Sequence, residues 1–204
     1  MVLALPPTIR VPRPHELPHR EDAQELLAKR ARANITQGYV THPNKTPQLP
    51  FTFYAEININ NEKLWALFTT LANDMPYEVC CIYGLYEEEA ATTGYFDKAD
   101  VLNILEKFRD ELSMDCSLEF GLLYQTKELL IEVFISESKY IKFWGSDKQK
   151  FLQHMSDYAL VEIDDIAFVD DYPKIVLPLR TFLPKAIRPE EVVRALNKAF
   201  GINA

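Results

Sequence analysis

The sequence predicts an α+β protein in which helices pack against a mixed, mostly antiparallel sheet, preceded by a proline-rich N-terminal arm. Three observations lead there. Apolar residues alternate with period two from Phe51 to Ile59, and they recur with helical period in later stretches. Two strand-like runs are joined by Gln125-Thr126-Lys127 alone, a connection so short that it implies an antiparallel hairpin. Eight of the 13 prolines lie within the first 50 residues.

The arm comes first. Pro6, Pro7, Pro12, Pro14 and Pro18 remove backbone donors and favour extended conformations, so residues 1–20 should lie along a surface or be mobile. From Glu21 to Ala33 the residues become helix formers, with Glu25 four positions before Lys29 and a thin apolar side of Ala23, Leu26, Leu27 and Ala31. A second loose stretch through Pro43, Pro47 and Pro50 completes an arm of residues 1–50, and residues 51–204 form one domain of ordinary size. Deleting the arm should leave that body folded.

The body opens with a half-buried strand in which Phe51, Phe53, Ala55, Ile57 and Ile59 share a face. Asn60 or Asn61 can cap a helix with the stripe Leu64, Leu67, Phe68 and Leu71, which Met75 and Pro76 end. Tyr77–Tyr86 is apolar enough on both sides to be a central strand, and Glu87–Thr93 reads as an exposed loop. Asp97 caps a helix whose Val101, Leu105, Phe108 and Leu112 share one side. The hairpin strands span Cys116–Tyr124 and Glu128–Glu137. Lys139–Trp144 extends the sheet, with Ile141 and Phe143 opposite Tyr140, Lys142 and Trp144. Ser146 or Asp147 opens a helix with Phe151, Leu152 and Met155, followed by short apolar runs at Val161–Ile163 and Ile166–Val169. Lys174–Leu179 is pushed to a sheet edge by Pro173 and Pro178. Pro189 then starts a helix with Val192, Val193, Leu196 and Phe200 inward, which ends before Gly201.

Charge divides the chain. Residues 1–50 carry seven basic and four acidic side chains, whereas residues 51–204 carry 15 basic and 26 acidic ones. A basic arm is thus joined to an acidic body, and the net charge of −8 argues against sequence-independent binding to phosphate backbones. Nucleic acid is not an expected partner; a basic protein is, because opposite potentials steer encounter. The seven basic arm residues lie scattered among prolines, which favours the arm resting on its own acidic body or on a second copy, and a homodimer involving the arm is a further expectation. Three cysteines, Cys80, Cys81 and Cys116, suit a reducing compartment. With Pro6 and Pro7 directly after Met1–Leu5 and no long apolar run, a cytoplasmic protein away from membranes is expected.

Motifs for chemistry are scarce. The six glycines form neither G-x-G-x-x-G nor a P-loop, and no G-x-S-x-G elbow is present. Neighbouring Cys80 and Cys81 would point apart in a strand, so a zinc site with Cys116 and His154 is disfavoured and no cofactor is expected. His154 is the single histidine after residue 50, and Cys116 has no local cysteine-protease signature around it.

The candidate partner-binding residues are therefore acidic or aromatic. They are the acidic run Glu87, Glu88 and Glu89, the segment Tyr140, Lys142 and Trp144, and the pairs Asp164-Asp165 and Asp170-Asp171. Each has a plain structural reading beside it, as a solvated turn or as packing under a second layer. In being small, acidic, cytoplasmic and motif-free, the chain resembles bacterial immunity proteins, which neutralise cognate toxins; the resemblance lies in composition. It implies a non-enzymatic, cytoplasmic protein-binding domain of immunity or inhibitor type. The alternative is an enzyme with a pocket built from Glu119, Glu132, His154 and tyrosines such as Tyr83 or Tyr124, which requires those groups to converge in one cleft.

Overall fold

The structure, a computed structural model, describes residues 3–17 and 22–202. Pro18 and Glu21, which sequence places in the arm and at the start of its helix, lie outside the described residues, as does the side chain of Ala23. The elements are β1 (Ile9–Arg10), α1 (Ala23–Arg32), β2 (Gly38–Pro43), β3 (Phe53–Asn58), α2 (Asn61–Asn73), β4 (Glu78–Leu85), β5 (Ala91–Asp97), α3 (Lys98–Glu106), α4 (Arg109–Met114), β6 (Leu118–Gln125), β7 (Leu130–Ile135), β8 (Ile141–Gly145), α5 (Lys148–Asp157), β9 (Ile175–Val176) and α6 (Pro189–Phe200). Seven strands form one antiparallel sheet in the order β2-β3-β8-β7-β6-β4-β5, and β1 pairs with β9 in a separate two-stranded sheet. The protein is α+β, as expected. Among the described residues no helix is long and apolar enough to cross a membrane.

Alternation decides which face each side chain joins. Phe53, Ala55 and Ile57 of β3, Ile141 and Phe143 of β8, Val133 and Ile135 of β7, Phe120 and Leu122 of β6, and Cys81 and Tyr83 of β4 all enter one core. Leu64, Leu67, Phe68 and Leu71 of α2 meet them, together with Val101 and Leu105 of α3, Phe151 and Met155 of α5, and Val192 and Leu196 of α6. Phe120 sits between Trp65 and Phe68, with ring centroids 5.8 and 4.9 Å away. Helices thus cover one face of the sheet.

The caps follow local chemistry. Asp97 accepts from the Ala99 amide at 2.7 Å and Asp147 from that of Lys150 at 3.0 Å. Gly201, at φ 69°, closes α6 in the left-handed conformation, and the Ile202 amide bonds back to Asn197. Asn60 stands before α2, but its side chain accepts from the Ala4 amide instead and ties down the N-terminal segment.

Three expectations are corrected. The stretch from Gly38 to Pro43 is strand β2, registered against β3 from Gly38↔Asn58 to Pro43↔Phe53, so a boundary at residue 50 cuts between paired strands. Upstream, Ile9 joins Cys116 and Val169 in a small second core, and the Thr8 hydroxyl bonds the Met114 carbonyl and lies 3.1 Å from the Cys116 sulfur. Only residues 86–90 separate β4 from β5, because the chain turns at Tyr86 and Glu87 and returns as β5; two residues, Thr93 and Gly94, face Cys81 there, and the Thr93 hydroxyl takes the Cys81 amide. The expected helix after Asp97 is two helices, broken at Lys107 and Phe108, with the inward stripe kept. The apolar run Ile166–Val169 makes a single bridge, Asn34↔Ile166, and leads into a helical turn at Val169–Asp171.

The two sheet edges differ. Residues 161–163 run beside β2, where the Tyr39 amide bonds the Val161 carbonyl and the Ile163 amide bonds that of Tyr39. Strand β5 has β4 on one side and, among the described residues, no further strand on the other.

Candidate functional site

The face opposite the helices carries a different set of residues. Register places His42, Tyr54, Trp144, Glu132, Leu123, Cys80 and Tyr95 in one row across all seven strands. The next row is Val40, Glu56, Lys142, Phe134, Gly121, Ile82 and Thr92. Most of these side chains are half-buried or exposed, whereas their neighbours on the helix side are buried. His42 and Tyr54 stack at 5.9 Å and Tyr54 and Trp144 at 4.6 Å, a ladder of rings along the row. Phe134 lies over Gly121, where a Cβ would come within 2.9 Å of its ring.

At one end this face is roofed. Residues 166–175 bring Phe168 onto Tyr140, with centroids 4.8 Å apart, and the Asn58 side chain donates to the Ala167 carbonyl. Tyr140 is therefore covered, while Lys142 and Trp144 stay at the surface. Between roof and sheet opens a cleft of about 440 Å³ lined by Tyr86, Glu119, Phe134, Ser136, Glu137, Lys142, Asp170 and Lys174.

The hairpin from Ser136 to Tyr140 is buried throughout, although four of its five residues are polar. Glu137, which the sequence makes the last residue of a strand, lies at this hairpin tip instead. Lys174 bridges it to Asp170, at 2.8 and 2.7 Å, and also donates to Ser138. Desolvation works against the Asp170 carboxylate, but Lys174 and Ser138 more than offset it and hold the pKa below its ordinary value. Lys139 takes the left-handed conformation at φ 61° and buries its ammonium, which donates to the Leu118 carbonyl at 2.6 Å. Burial lowers its pKa to about 8.

Two carboxyls on the open face are shifted upward. Burial, with the Glu137 charge, raises Glu119, and burial raises Glu132 to about 6. Tyr86 is raised chiefly by the Glu137 charge.

The sequence candidates separate into groups. Lys142 and Asp170 line the cleft and Trp144 lies on the open face. Glu87, Glu88 and Glu89 form an exposed turn directly after Tyr86. Asp164 and Asp165 occupy an exposed turn, where Asp165 accepts from Asn34; Asp171 accepts from the Phe168 amide. The residues of the alternative pocket do not converge. Glu119 and Glu132 are on the open face. Tyr83 is in the helix-side core and bonds Asn197, and Tyr124 packs against that core. His154 pairs with Asp74 at 2.5 Å beside Leu71, Phe143 and Phe151. Cys80 and Cys81 point to opposite faces, and among the described residues no group of three or more His, Cys, Asp or Glu could hold a metal ion. Sequence reasoning missed Tyr86, Ser136 and Lys174, whose meeting depends on segments far apart in the chain.

No protein family, curated protein or solved structure was found to match this chain.

Proposed function

We propose that this chain is a non-enzymatic binding protein that engages a basic protein through the open face of its sheet. The observation that supports the reading is that face: two cross-strand rows in which Tyr54, Trp144, Phe134 and Tyr95 stand beside Glu56 and Glu132, mostly half-exposed, on a chain of net charge −8. A single-layer sheet covered on one side leaves such a surface for a partner, and its aromatic ladder supplies rigid contact area. Glu56, Glu119 and Glu132 set the sign of the potential. Inhibition of a cationic toxin, as in immunity proteins, is a function of this kind.

The test is capture from native lysate, followed by direct titration of the purified captured species. A basic protein that binds at low salt, is released at high salt, and binds neither Trp144→Ala nor Glu56→Lys supports the reading. A captured protein that is not basic, or that binds both variants as well as the parent, refutes it.

A further inference from the structure

We propose that the cleft at the roofed end of the open face is the seat of one cationic side chain of the partner, an arginine or lysine, with Glu119 as its carboxylate. This inference rests on the binding-protein reading and adds the anchor to it.

The cleft has an acidic excess: Glu119, Glu137 and Asp170 against Lys142 and Lys174. Internal pairing uses these groups unevenly. Lys174 lies between Glu137 and Asp170 and neutralises one of the two. Lys142 sits 5.3 Å from the centroid of the Tyr140 ring. The Glu119 carboxylate makes no hydrogen bond or ion pair among the described residues, feels Lys139 and Lys142 only from farther off, and is half-buried in the wall of the cleft that Phe134 and Ser136 also line. A carboxylate held partly out of water with no directly bonded partner gains from an incoming cation. Tyr86 and Phe134 add aromatic faces that suit a guanidinium or ammonium group. The described residues offer no cluster suited to a metal ion. The exposed Glu87–Glu89 turn beside Tyr86 draws a basic surface to this end.

The experiment is NMR titration of the isotope-labelled full chain at constant ionic strength. The two probes are Nα-acetyl-arginine N-methylamide, standing for a protein side chain, and spermidine, standing for a free polyamine. The arginine derivative should shift the amides of Tyr86, Glu119 and Phe134 saturably. Glu119→Gln should weaken it by about tenfold, and Tyr86→Leu, at an exposed position that folding tolerates, should weaken it as well. Glu128→Gln, in the distant β6–β7 turn, should leave it unchanged. Shifts that do not saturate, or equal affinity in Glu119→Gln, would overturn the proposal. Tighter binding of spermidine would overturn the assignment to a protein side chain and give the cleft to a free polyamine. If the cleft fails while the Trp144-dependent capture holds, the binding reading survives without this anchor; the opposite result keeps the cation site and removes the reading.

Discussion

The two faces of the central sheet are made by the same strands and differ in almost everything else. On the helix side, most alternate residues are apolar and buried, and the rings of Trp65, Phe68 and Phe120 interlock there. On the other side the same strands carry Glu56, Lys142, Glu132 and Glu119 among half-exposed rings. The difference teaches that strand parity sets burial: one residue along a strand moves a side chain from the covered face to the open one.

The strongest challenge to that division is removal of residues 1–50. The loss takes β2 from the sheet, Tyr39 from the main core and Ile9 from the second core. Contrary to the expectation from sequence, residues 51–204 alone should lose cooperative thermal unfolding by circular dichroism. An intact, cooperative transition would show that the first 50 residues are accessory after all.

Next in size is Phe120→Ala on the covered face, expected to cost about 3–5 kcal/mol in urea unfolding. Glu132→Gln on the open face should act with the opposite sign. Its folded-state pKa is raised from an ordinary 4.5 to about 6, so the folded protein holds this proton more tightly than the unfolded chain. Stability should therefore fall as pH rises through roughly 4.5 to 6, and the penalty should persist above that window. The substitution should recover about 1–2 kcal/mol at pH 7 and flatten the profile in the window. Equal pH profiles for parent and variant would remove the desolvation argument. The smallest effect belongs to Trp144→Ala, which loses the stacking on Tyr54 and should cost about 1 kcal/mol by denaturant titration. A cost like that of Phe120→Ala would mean that the open face is a second core.

The sequence was most legible where one face is buried and regular. Alternation in β3 and β8, the stripes of α2 and α6, and the caps Asp97 and Asp147 could all be read directly. Both edge strands escaped notice, because Gly38 and Pro43 in β2 and the Thr-Thr-Gly of β5 suppress the apolar pattern that marks a strand. For the candidate site, the strand pattern placed Lys142 and Trp144 opposite the core. It could not bring Lys174 and Asp170 over the sheet, since that roof comes from an irregular segment with no periodicity to read.

The guarded edges of this sheet bear on polymer growth. Seven antiparallel strands would template further chains wherever a straight edge lies bare, and fibrils grow by that route. Here Pro43 and the strip at residues 161–163 occlude one end, and the bulge at Thr93 and Gly94 bends the other out of register. Contact between copies is thereby steered away from the one geometry that repeats without limit.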